Sequence, residues 1–110
     1  MSRRIERFAP TLKLLHRYTN AQKKKWMKQN LDREFVFCMC ECVKNLLKGK
    51  VPLSQAQKRS LARRKKVLRE FVKKKVSLDK KRRIIQTGGF LGAILGPVVS
   101  ILSGLLGGRN

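Results

Sequence analysis

From Ile84 to Gly108 the sequence runs for 25 residues without a charged side chain, in a chain of 110 residues of which 31% are charged. Such a stretch must be covered by protein or by lipid, because exposed apolar surface of that extent is unfavourable in water. Wholly helical, it would measure about 37 Å against a hydrocarbon core of roughly 30 Å, so its length permits a membrane span. Seven of the eight glycines fall in this part of the chain, and Pro97 removes a backbone donor from its middle, which disfavours a straight helix in water. Small residues recur at every fourth position, Gly88, Gly92, Gly96, Ser100, Gly104 and Gly108, the pattern that lets helices approach closely in lipid. A glycine-rich helical hairpin kinked at Gly96-Pro97 fits the same residues. The side chains available for membrane insertion or docking are Phe90, Leu91, Ile94, Leu95, Pro97, Val98, Ile101, Leu102, Leu105 and Leu106.

The charge that this tail lacks is concentrated just before it. Residues 48–83 hold 16 Lys and Arg against 2 acids, and residues 1–47 hold 11 against 4, within an overall net charge of +22. Three segments follow: 1–49, 50–83 and 84–110. A chain this short supports one small domain at most. Excess positive charge opposes compaction, and a polyanion that neutralises it also gains the entropy of released counterions. Nucleic acid and anionic membranes are therefore the expected partners. The first residues, with Arg3, Arg4 and Arg7 and no apolar run behind them, do not read as a secretory signal, so synthesis in the cytosol is expected.

Local patterning points to an all-α fold. Leu31, Phe35, Cys38, Met39, Cys42, Val43 and Leu46 recur at spacings of three and four, the signature of an amphipathic helix. Asn30 or Asp32 can cap its start, and Gly49 stops it. Pro10 suits the first position of a shorter helix carrying Leu12 and Leu15, and Trp26 and Met27 suggest another after Asn20, giving a small helical N-terminal region. Ser54 with Gln57 has the form of a capping box, so a long basic helix is expected from about Gln55 to Lys74. Its stripe of Leu61, Leu68 and Val72 is thin. A second cap-like break at Ser77 precedes Lys80, Lys81, Arg82 and Arg83.

The basic residues Lys58, Arg59, Arg63, Arg64, Lys65, Lys66, Arg69, Lys73, Lys74, Lys75, Lys80, Lys81, Arg82 and Arg83 are the candidate phosphate contacts. Point charges on helices can follow a sugar-phosphate backbone without reading bases, and the same clusters have the form of nuclear import signals. A solvated charged face is the plain alternative, weakened here because only Glu70 and Asp79 offset the segment. No zinc-finger spacing or aromatic RNA-recognition motif is present, which favours non-specific binding. Cys38, Cys40 and Cys42 lack the second ligand pair that a zinc site needs, and the single His16 is remote, so no metal or other cofactor is expected. Cys38 and Cys42 read as small core residues. Cys40, on the opposite face of the helix, is left for palmitoylation or an intermolecular disulfide. One histidine and scattered acids form no catalytic constellation, so the chain is not expected to be an enzyme.

The order of features, a basic segment, then Lys80-Lys81-Arg82-Arg83-Ile84-Ile85-Gln86-Thr87-Gly88-Gly89-Phe90-Leu91, then an apolar tail with a central Pro97, resembles a family of small virion proteins. It is similar to the minor core protein (mu) precursor of adenoviruses, and more closely to the counterpart in adintoviruses, the viral form of Polinton (Maverick) elements. The resemblance runs from about Cys40 to Leu106 and includes Val51-Pro52-Leu53-Ser54-Gln55. It implies a protein that condenses double-stranded DNA, is made in the host nucleus and is carried in the virion. It also implies an adenovirus-type protease as a partner. That enzyme's pattern of a bulky apolar residue, any residue and two glycines matches Leu105-Leu106-Gly107-Gly108 and, in relaxed form, Gln86-Thr87-Gly88-Gly89, placing cuts after Gly108 and Gly89. The chain departs from the adenovirus precursor in its many lysines and its cysteine-bearing helix.

Two functional expectations follow. The first is a structural core protein that neutralises DNA through residues 50–83, with the tail docking on capsid proteins, a membrane or other copies of itself. The alternative is a membrane-active or tail-anchored protein that inserts residues 84–108 while Lys80 to Arg83 hold anionic headgroups.

Overall fold

The computed structural model describes residues 3–107, with side chains through residue 102, and all regular secondary structure among them is helical. Seven helices follow in order: α1 Arg3–Arg17, α2 Asn20–Asn30, α3 Arg33–Leu47, α4 Gln55–Arg63, α5 Lys65–Phe71, α6 Leu78–Ile85 and α7 Phe90–Gly107. Four of their starts are written in the local sequence. Thr19 and Gln22 form a reciprocal capping box at α2, and Ser54 and Gln57 form another at α4. Asp32 accepts the Phe35 amide at 2.8 Å, and the Ser77 hydroxyl accepts the Lys80 amide at 3.1 Å. Gly49, at φ 72°, ends α3 in the left-handed conformation that glycine adopts without penalty.

Two elements differ from the sequence expectation. Helix α1 begins seven residues before Pro10 and carries that proline inside, because Ile5, Ala9, Leu12 and Leu15 form one continuous buried stripe. The basic helix expected to reach Lys74 breaks at Arg64 and ends at Phe71. Its Arg64 guanidinium donates to the Ser60 carbonyl at 3.3 Å and hydroxyl at 3.2 Å, while the Arg64 amide turns to the Leu61 carbonyl at 3.0 Å. The i→i−4 ladder is thereby interrupted. In the tail, of the helix and the hairpin that the sequence allowed, the helix forms, and α7 continues through Pro97.

The apolar tail packs at the centre of the bundle. Helix α7 lies against α1 most extensively and also meets α3, α4 and α6. Phe90, Leu91, Ile94, Leu95, Pro97, Val98 and Leu102 are buried, and Ile101 is half-buried. An all-apolar helix is stable in water when covered in this way, each large side chain contributing about 1.5–3 kcal/mol. Leu105 and Leu106 lie outside the described side chains. A Cβ on Gly92 or Gly96 would meet only the ends of Lys23 and Gln57, at an ordinary contact distance of 3.7 Å, and one on Gly88 would meet nothing within 4 Å. Around this helix, α3 supplies Phe35, Val36, Cys38, Met39, Cys42, Val43 and Leu46. Edge-on ring contacts join Phe35 to Phe8 and Trp26, and Phe71 to Phe90, with centroids 4.9–5.7 Å apart. The three charge segments thus share one core, with a radius of gyration of 13.2 Å, as expected for a single compact domain of this length. No single helix among the described residues is long and apolar enough to cross a membrane. The pair α6 and α7 meets that measure only together, across a bend of 83°.

Candidate nucleic-acid interface

Burial of the apolar stripe of α4, α5 and α6 turns their remaining faces outward. Leu61, Leu68, Phe71 and Ile85 anchor these helices in the core. Eleven of the fourteen basic candidates are exposed as a result: Lys58, Arg59, Arg63, Lys65, Lys66, Arg69, Lys73, Lys74, Lys75, Lys80 and Arg83. Only Glu70 and Asp79 lie among them. Glu70 receives Lys73 at 3.3 Å and Lys80 at 3.4 Å, and these hydrogen bonds, Lys73 first, hold its carboxyl below its usual range. Surface pairs of this kind are easily exchanged for an incoming anion.

The other three candidates are committed to the fold. Arg64 is half-buried and closes the α4–α5 break. Arg82 donates through Nε to the Leu31 carbonyl at 2.7 Å and pairs with Asp79 at 3.0 Å, tying α6 to the start of α3. Lys81 is only 6% exposed, with Nζ 3.6 Å from Cys40 Sγ and 5.9 Å from the centre of the Phe71 ring. It is removed from the outer face that the sequence pattern suggested.

Cys40 is likewise 6% exposed, because α5 and α6 cover the side of α3 opposite the main stripe. Its Sγ lies 3.9 Å from the Phe71 carbonyl, and burial pushes its thiol up despite Lys81. The surface cysteine expected for lipidation or intermolecular pairing is therefore an interior one. Cys42 is also pushed up, by its hydrogen bond with Cys38 and then by burial, and all three cysteines are free thiols. No grouping of three or more metal-ligating side chains occurs among the described residues.

The sequence reading passed over other basic groups. Lys24, Lys25 and Lys28 stand exposed on α2, a helix with no buried residue, and Arg33 and Lys44 stand exposed on α3. In the sequence they are diluted by the acids of residues 1–47, and only the packing shows which cations face which neighbour.

The turn Gln86-Thr87-Gly88-Gly89 between α6 and α7 is exposed throughout. Gly89, at φ 82°, takes a left-handed conformation, and a Cβ there would stand 2.6 Å from Arg64 Nη2. Gly108 lies outside the described residues. Compared with known protein families, curated proteins and solved structures, the chain matches none.

Proposed function

We infer that this chain is a structural protein that neutralises and condenses double-stranded DNA without reading its sequence. The observation that carries the reading is the exposure of eleven cations on α4, α5, α6 and their connecting turns, with only Glu70 and Asp79 to offset them. Each phosphate contact releases condensed counterions, so affinity comes from charge number and not from base edges. The bundle behind these cations supplies a rigid support, with the apolar tail helix as its core. The order of segments, which resembles that of adintovirus and adenovirus core protein precursors, supports a setting in the virion and the host nucleus. On the same reading, an adenovirus-type protease meets the exposed turn ending at Gly89.

Fluorescence anisotropy of the full chain with two unrelated duplexes over a salt series tests this. The slope of log affinity against log salt is expected to be steep, roughly −10 if all eleven exposed cations engage phosphates at about −0.9 each, and equal for both duplexes. The triple variant Lys65→Gln, Lys66→Gln, Arg69→Gln should flatten it by roughly 2–3. Affinity that holds constant from low to high salt, or that differs strongly between the duplexes, overturns the reading. Binding to anionic liposomes in preference to DNA at matched salt would favour a membrane surface instead.

A further inference from the structure

A cleft of about 540 Å³ lies between α3 and the turn that joins α5 to α6, and it shares Lys74 and Lys75 with the exposed cations assigned to duplex binding. One wall is a single stripe of α3, with Arg33, Phe37, Cys40 and Lys44 at spacings of four, three and four. The opposite wall carries Lys74 and Lys75, and Lys81 reaches in from α6. Five cations therefore line a volume the size of one small molecule, and no carboxylate lines it. None of the five takes part in an ion pair among the described residues. Acids on the same elements are engaged elsewhere: Glu41 and Glu34 pair with Arg4, and Glu70 pairs with Lys73 and Lys80.

Lys81 is the sharpest sign of what the cleft recognises. Lys81 is 6% exposed as a whole residue, and its ammonium group has a thiol and an aromatic ring beside it, both weaker partners than a counter-charge. An anion in the cleft supplies that charge. The concave arrangement, with positive groups converging from two walls, suits an anion that projects several phosphates from a small centre. A duplex presents its phosphates along a convex rod and meets outward cations instead. Phe37 offers little platform for a nucleobase, because the guanidinium groups of Arg4 and Arg33 already lie 5.5 Å and 5.3 Å from its ring centre.

We propose that this cleft binds a soluble, compact polyphosphate of the inositol polyphosphate class, held by Arg33, Lys44, Lys74, Lys75 and Lys81. The inference does not depend on duplex binding, and the two are tested side by side. Isothermal titration of the full chain with inositol hexakisphosphate at physiological salt gives the affinity. Arg33→Gln with Lys44→Gln removes two exposed cleft cations, and Lys58→Gln with Arg59→Gln removes two exposed cations on α4 as a charge-matched control. The cleft pair should weaken binding by about tenfold or more and the control pair by less than about twofold. Equal losses in both variants would show binding that follows net charge, and absent binding in the wild type would be equally decisive; either overturns the proposal. Vesicles carrying phosphatidylinositol bisphosphate form a second arm. Cleft-dependent capture by these vesicles without binding of the soluble probe would overturn the soluble ligand in favour of a lipid headgroup. Duplex affinity of each variant is measured in parallel. Loss of salt-dependent duplex binding in the wild type, with cleft-dependent polyphosphate binding intact, would defeat the DNA reading and leave this one standing.

Discussion

Truncating one leucine in two places separates a core helix from a loose apolar tail. Leu95, in the middle of α7, is 0% exposed, whereas Leu14, on the outer side of α1, is 45% exposed. Leu95→Ala removes buried methyl groups and leaves a cavity bounded by a close-packed interior, a loss of about 2–5 kcal/mol. A domain of this size has about 5–15 kcal/mol of total stability, so a substantial fraction is at stake. At about 4 °C for each kcal/mol, the midpoint of thermal unfolding should fall by roughly 8–20 °C. Leu14→Ala deletes the same atoms from a half-wet site and should stay within about 0.5 kcal/mol, or roughly 2 °C. Far-ultraviolet circular dichroism in about 0.15 M salt, where the Debye length is about 8 Å and self-repulsion is damped, measures both midpoints. Urea unfolding of each variant then checks that the slope with denaturant is unchanged. Two variants that melt together, within about 2 °C of the wild type, would refute the placement of α7 in the core.

Further outcomes follow from single contacts. Gly89→Ala should lower the urea midpoint by the equivalent of about 1–2 kcal/mol, because the residue is at φ 82° and the new methyl meets Arg64. Lys81→Met keeps the length of the buried stem and removes its charge, so the thermal midpoint should hold or rise by the equivalent of about 1–2 kcal/mol. A fall of that size would show instead that the ammonium group stabilises the fold. The thiols of Cys40 and Cys42 are pushed up in the folded state, so the folded chain holds these protons more tightly than the unfolded one. Their contribution is fully present below the unfolded thiol value of about 9 and is lost as pH rises above it, so the thermal midpoint should decline from there. Cys40→Ala with Cys42→Ala should make that decline shallower, as a melting series between pH 7 and about 10.5 would record.

Helix content was legible because local chemistry and periodicity agree. Ser54 with Gln57, Asp32, Ser77 and Gly49 mark ends that need no tertiary partner to be recognised. Pro10 misled because proline favours a helix start, while the stripe from Ile5 to Leu15 carries the helix past it. The break at Arg64 was hidden since it depends on one arginine folding back on Ser60, a contact with no signature in spacing. The composition of residues 84–108 marked a segment that needs cover. It could not say that α1 and α3 provide the cover, since lipid and protein pose the same demand on an apolar side chain. The exposed cations were legible as a charge run. The withdrawal of Lys81 beside Cys40 was not, because it follows from α6 lying across the far side of α3.

The packing of α7 on α1 joins the helices that lie furthest apart in the described sequence. Synthesis delivers Arg3–Arg17 well before Phe90–Gly107, so the stripe of Ile5, Leu12 and Leu15 waits for its main partner while the five helices between them are made. The residues in between, with their surplus of lysine and arginine, emerge before the bundle can close over its interior. Contacts of such long sequence separation form slowly, because the closure entropy of the intervening loop comes before any reward. During that interval the nascent chain is a flexible polycation beside the RNA of the ribosome that makes it. Arrival of α7 closes the bundle over its interior and fixes the charges in place, so this helix sets the moment at which the segment becomes a defined particle.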